Sequence, residues 1–225
     1  MLGLLDKRDV RATHRMADMG SWGGDAAGSF TTRGLPAGTQ VATTFGWRSV
    51  EAVAVGDEIL TFDNGLRPVV AITRTPIASQ LSRQPVFARP VHVPAGALGN
   101  DVATILLADE PVMIESDAAE ALSGDPFAIL RARDLVGLRG IHHVGAIAAE
   151  EAVTLHFADA QVIVIQGDAL VVADEVAPDS VTRLLSAATG LPAPYTTYRG
   201  ETARHLVAAI AAEDARQVEG GKPAA

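Results

Sequence analysis

Apolar positions along most of this chain fall in short alternations broken by turn residues, and only near the carboxyl end do they take a helical spacing. Val41-Ala-Thr-Thr-Phe-Gly-Trp-Arg-Ser-Val50 places β-formers around Gly46, which predicts two short strands joined by a tight turn. Residues 55–62 predict a third strand. Asp63-Asn64-Gly65, tolerant of positive φ, supplies the next turn, and residues 68–73 complete a β-meander. Phe45, Trp47 and Phe62 are expected to pack into its core. Further strands are predicted over 86–93, 102–107, 112–115, 126–130, 152–157, 161–165 and 169–172. Their close spacing indicates a compact all-β core rather than alternating β/α units.

Near the carboxyl end Asp179-Ser180 is placed to cap a helix over 181–189 before Gly190. A second helix is predicted over 202–216, where Leu206, Val207 and Ile210 form an apolar stripe expected to dock on the β module. Residues 217–225 read as a frayed tail, and residues 1–33, rich in Gly, Ser and Thr without a sustained period, read as a flexible amino-terminal arm. The expected organisation is therefore an arm over 1–33, a β domain over 34–175 and a helical extension with tail over 176–225.

Composition narrows the chemistry. With no cysteine, disulfides, thiolate metal sites and a sulfur nucleophile are excluded. A net charge of −9 opposes binding to a phosphate backbone, so nucleic acid is not an expected partner. No apolar run approaches the roughly 20 residues that a membrane-spanning helix requires. The charged opening Met1-Leu-Gly-Leu-Leu-Asp-Lys-Arg-Asp-Val10 is unlike a secretory signal, and the cytoplasm is the expected location.

The segment Gly34-Leu-Pro-Ala-Gly-Thr-Gln-Val-Ala-Thr43, followed by Gly46-Trp-Arg-Ser-Val-Glu51 and Val55-Gly-Asp-Glu-Ile-Leu-Thr61, resembles the opening of bacterial Hint (Hedgehog/intein) domains. The likeness continues through Val93-Pro-Ala-Gly-Ala-Leu-Gly99, Gly124-Asp-Pro-Phe-Ala-Ile-Leu-Arg131, Asp134-Leu-Val136 and Leu155-His-Phe157. It implies a horseshoe-like all-β fold and a self-cleaving chemistry. In active members a first Cys or Ser attacks the carbonyl that precedes it, and a His protonates the departing amide nitrogen.

In this chain the positions that match those motifs are vacant. The nucleophile falls on Gly34, the central Ser-or-Thr and His fall on Ala108 and Pro111, and a later His falls on Ala160. Loss of a nucleophile alone lowers such rates by about 10⁴ to 10⁶. The resemblance therefore implies a catalytically degenerate autoprocessing module that serves as a binding or structural domain. The alternative is a self-cleaving domain that uses a hydroxyl near Gly34, with Thr31 or Thr32 as nucleophile.

Other polar clusters have plainer readings. His142-His143 is expected in a solvent-facing loop, because neighbours on a strand point to opposite faces and cannot ligate one ion together. His156 is expected on the polar face of its strand, and His14, His92 and His205 at the surface. Asp109-Glu110, with Glu115 and Asp117, reads as a solvated acidic edge. Gly96-Ala-Leu-Gly99 reads as a turn, and Gly38-Thr39 lacks the lysine of a phosphate loop. No cofactor or metal is expected. A protein partner, if there is one, is expected at the carboxyl-terminal helix or the amino-terminal arm.

Overall fold

The computed structural model describes residues 30–78, 81–176, 195 and 197–220. Most of the expected arm, the predicted helix over 181–189 and the last residues of the tail lie outside this set.

The chain builds a large sheet from short strands. β1 (Leu35–Pro36) leads into the hairpin β2 (Gln40–Thr43) and β3 (Gly46–Ser49), whose register pairs Thr43 with Gly46. Gly46 takes φ 94° at this reversal, a conformation that a side chain disfavours, so the sequence signal for the turn holds. β4 (Glu58–Thr61) and β5 (Gly65–Pro68) form the next hairpin, closed by Thr61 Oγ1 donating to the Gly65 carbonyl at 2.7 Å. β6 (Ala71–Pro76) does not extend these hairpins into the expected meander, because it pairs with residues 151–156 rather than with β5.

After it come β7 (Val91–Val93), β8 (Thr104–Leu106), β9 (Pro111–Glu115), β10 (Phe127–Arg131), β11 (His142–His143), β12 (Glu151–Phe157), β13 (Gln161–Ile165) and β14 (Ala169–Glu175). An eleven-stranded sheet follows the path β1-β12-β14-β13-β2-β4-β5, with β6 on β12, β3 on β2, and β9 with β10 on β14. β11, β7 and β8 make a separate three-stranded sheet. The β12/β14 pairing is parallel, while β12 pairs antiparallel with both β6 and β1. Alternation explains β12: Val153, Leu155 and Phe157 point into the core, and Thr154 and His156 take the other face.

Two helices complete the described fold. α1 (Asp117–Ser123) is capped by Ser116, whose side chain accepts from the Ala118 N–H at 3.0 Å, and ends at Gly124 with φ 78°. α2 (Gly200–Gly220) buries Ala203, Leu206 and Ile210 in the main core, as the apolar stripe predicted. Glu213 of α2 accepts from Ser116 Oγ at 3.0 Å and from the Ala118 N–H at 3.2 Å, so α2 reaches the amino-terminal end of α1 with a carboxylate. None of the described helices is long and apolar enough to cross a membrane.

Several local expectations need correction. Residues 86–93 do not form one strand: Val86–Ala88 is a turn of 3₁₀-helix, and Pro85 and Pro90 confine the extended part to β7. His142-His143 is a strand rather than a loop, because His142 pairs across to His92. Phe45 and Trp47 are 88% and 51% exposed and Phe62 is 43% exposed, so they do not fill the meander core. That core is filled by Val41 and Ile59, which face the opposite side of the pleat.

Candidate functional site

The site grows from the way the chain enters β1. Phe30 to Gly34 precede the strand, and successive residues are held by different elements. Thr31 Oγ1 donates to the Pro76 carbonyl at 2.8 Å, and the Thr32 carbonyl accepts from the Asp109 N–H at 2.7 Å. Arg33 pairs with Asp174 of β14 at 2.5 Å. Beyond the junction, β1 pairs with β12, matching Leu35 to Val153 and Pro36 to Ala152.

Gly34 itself is buried and takes φ 99°. A Cβ built there would stand 2.9 Å from Thr154 Oγ1 and 3.3 Å from the Ala152 Cβ. Both the backbone conformation and the space therefore call for glycine.

The Gly34 N–H donates to Glu110 Oε2 at 2.7 Å. Glu110 closes the β-turn between β8 and β9, where its N–H donates to the Leu107 carbonyl. The turn is fixed from outside by Arg133, which pairs with Asp109 at 3.0 Å and donates its N–H to the Ala108 carbonyl. This locks Asp109 outward and Glu110 inward. Glu110 is fully enclosed, and burial pushes its carboxyl up to about 7. The Gly34 N–H and the Arg33 charge oppose that rise, while Asp174 adds to it.

Glu110 thus departs from the solvated acidic edge expected of it; Glu115 and Asp117 are exposed, as that reading requires. A hint was present in the sequence, where Glu110 is bracketed by Thr104-Ile-Leu-Leu-Ala108 and Pro111-Val-Met-Ile114. A carboxylate between two apolar strands and just before a proline is a candidate for burial. Thr154 had no such signal, since alternation alone gave it a place on a polar face.

The family model for the Hint domain matches residues 34–177. The chain belongs to the Hint domain family. Its first matched residue is Gly34, so the geometry above is that of the domain's entrance. Among solved structures, a bacterial intein-like domain from Clostridium thermocellum is 12% identical with a TM-score of 0.44, covering 64% of this chain and 100% of that one. The MchDnaB-1 intein is 18% identical with a TM-score of 0.40, covering 61% and 98%. The Msm DnaB1 intein splicing domain bound with zinc is 17% identical with a TM-score of 0.40, covering 63% and 99%. No curated protein matches the chain.

Within this Hint domain the four positions that the resemblance assigned to catalytic residues fall at the entrance to β1, in the β8/β9 turn and start of β9, and in the β12/β13 turn. Gly34 meets the turn that carries Ala108 and Pro111, but through the intervening Glu110 rather than through either of them. Ala108 is buried with its carbonyl bound to Arg133, and Pro111 begins β9. Ala160 lies in the β12/β13 turn, one residue before Gln161, which pairs with Ala173 of β14. Thr31 has its hydroxyl committed to Pro76. Thr32 bonds through its backbone carbonyl.

The histidines lie elsewhere. His92 and His142 stack across β7 and β11 with ring centroids 4.9 Å apart, and His92 is half-buried rather than at the surface. His156 Nε2 lies 2.9 Å from Thr73 Oγ1, and His205 is exposed. Among the described residues no three His, Asp or Glu side chains group closely enough to hold a metal ion.

Proposed function

We propose that this Hint domain is a catalytically degenerate autoprocessing module that leaves the Arg33–Gly34 peptide bond intact and serves as a binding or structural domain. The observation that supports this reading is the fit at Gly34. The residue where the family nucleophile belongs has no side chain, and Thr154 Oγ1, 2.9 Å from where a Cβ would stand, fills the room that one would need. The position that the resemblance gives to the central imidazole is Pro111, and the group that meets the Gly34 N–H is the carboxyl of Glu110, at 2.7 Å. As an amide acceptor, Glu110 holds the ground-state peptide in place.

The test is the mass of the purified full chain after prolonged incubation with thiol and, separately, with hydroxylamine. This reading expects an unchanged 23.4 kDa species. A fragment beginning at Gly34 would overturn it and favour the rival, self-cleavage through a hydroxyl. The observation that favours the rival is the hydroxyl of Thr154 beside Gly34, which would take the part first assigned to Thr31 or Thr32. Thr154→Val would then abolish the fragment.

A further inference from the structure

The edges of the two sheets are not guarded alike. β3 and β5, at edges of the large sheet, carry Arg48 and, in β5, Arg67 with Pro68, residues that oppose the addition of another strand. β8 (Thr104–Leu106), an edge of the three-stranded sheet, has neither a charge nor a proline.

Register shows which of its main-chain groups are spare. The Val144 N–H donates to the Pro90 carbonyl and His142 pairs with His92, so the N–H and C=O of His92 turn towards β11. Those of Val91 and Val93 turn the other way, to Leu106 and Thr104 of β8. Ile105 therefore presents its N–H and C=O on the side of β8 that faces away from β7. Among the described residues neither group enters a further main-chain hydrogen bond. Ile105 is half-buried, where an unmet main-chain pair is costly.

This open edge borders a cleft of about 430 Å³. Residues 103–105 line it with residues 36–39, Gln166 and the apolar segment Ile147-Ala-Ala149, and so does His92, whose Nδ1 is buried without a hydrogen-bond partner. No Asp, Glu, Lys or Arg is among the described residues of that lining. An uncharged occupant fits such walls, and one that offers a C=O beside an N–H fits Ile105. A peptide in extended conformation supplies both. We propose that the cleft beside β8 is a docking site for an uncharged, extended peptide segment of a partner protein, which adds to the sheet by exchanging main-chain hydrogen bonds with Ile105. The inference rests on the reading of this chain as a binding domain and names the chemistry of its partner.

The test titrates the full chain, in ¹H–¹⁵N spectra, with the acetylated and amidated pentapeptide Thr-Val-Thr-Val-Thr and with the same peptide N-methylated at every amide. The first peptide should bind saturably, with the largest shifts at the residues that line the cleft and slowed exchange of the Ile105 amide hydrogen. The methylated peptide keeps the side chains but donates no main-chain hydrogen bond, and should bind at least about tenfold more weakly. Ile105→Pro should weaken the first peptide by a similar factor, since proline removes the outward N–H and leaves the bonds to β7 in place. If Ile105→Pro fails to fold, the two peptides on the wild type decide alone. No saturation below about 5 mM, equal binding of the two peptides, or shifts centred elsewhere overturn the proposal. The intact mass of each sample is read beside the titration. A Gly34 fragment there refutes the degenerate reading while the shifts still judge the cleft, and an intact chain that binds neither peptide refutes the docking site alone.

Discussion

Glu110 holds one backbone N–H from inside the fold, whereas Asp214 of α2 holds the guanidinium of Arg139 through both oxygens near the surface, at 2.8 and 2.6 Å. The two environments drive similar carboxyl groups in opposite directions. Burial pushes Glu110 up to about 7, while the Arg139 hydrogen bonds hold Asp214 below its ordinary value. At the Hint entrance a carboxylate is retained against its solvation energy, so geometry is being fixed at the expense of stability. On α2 the charges finish a contact that Ala203, Leu206 and Ile210 already make by burial.

The largest effect expected on either side of this contrast is the loss of α2 packing. Leu206 is fully buried, and Leu206→Ala removes its apolar contacts and leaves a cavity. Urea denaturation should show a loss of about 3–4 kcal/mol. A loss below about 1 kcal/mol would mean that α2 is not part of the core and that the Arg139 pair alone seats it.

Glu110 is expected to give the second effect, and its sign is unusual for a carboxylate. The unfolded chain ionises this group near the ordinary value of 4.5, the folded chain near 7. Between those values the unfolded state has already shed its proton and the folded state has not. Stability therefore falls as pH rises through this window, by up to about 3 kcal/mol in all, and levels off above it. In Glu110→Gln this component of the slope should vanish, leaving the variant the more stable protein at pH 8. Denaturation midpoints at pH 5 and pH 8 check both statements, and a wild type that gains stability across this window through Glu110 would contradict them.

Gly34→Ala comes next. A methyl at φ 99° adds backbone strain, and it meets Thr154 Oγ1 at 2.9 Å. Because that oxygen ends a short side chain able to turn away, the expected loss is about 2 kcal/mol. Thr154→Ala should recover part of it, since it removes the clash and leaves the strain. A double-mutant cycle by urea denaturation measures the recovery, and strict additivity would show that Thr154 does not crowd this position.

How much of this was legible in the sequence depends on whether local chemistry or tertiary packing decides the outcome. The hairpins at Gly46 and at Asn64-Gly65 were readable because turn chemistry is local. So was the α2 stripe, whose 3.6-residue period maps directly onto a buried face. α1 was not, since its seven residues are too few to establish a period, although Ser116 and Gly124 mark its ends. The exposure of Phe45 follows from its place in the reversal between β2 and β3, where no other strand covers it. At the entrance, the resemblance singled out Gly34. It could not show that the carboxylate one residue before Pro111 would reach Gly34, because that depends on Asp109 turning outward to Arg133.

The smallest effect concerns the Arg139–Asp214 pair, and it sharpens the contrast from the other side. Asp214 is held low by Arg139, so its contribution is present above the ordinary carboxylate range and lost as pH falls through its depressed value. The slope is thus opposite to that of Glu110 and displaced to more acid conditions. Both side chains are partly exposed, which limits the pair to less than about 1 kcal/mol despite its two-oxygen geometry. Asp214→Asn should therefore lower the urea midpoint only slightly at pH 7, and by progressively less as the pH falls below the ordinary carboxylate range. Raising the salt concentration should shrink the difference at pH 7, because exposed charges are screened. If Asp214→Asn instead destabilises as much as Leu206→Ala, charge rather than burial seats α2, and the contrast between the two carboxylates fails.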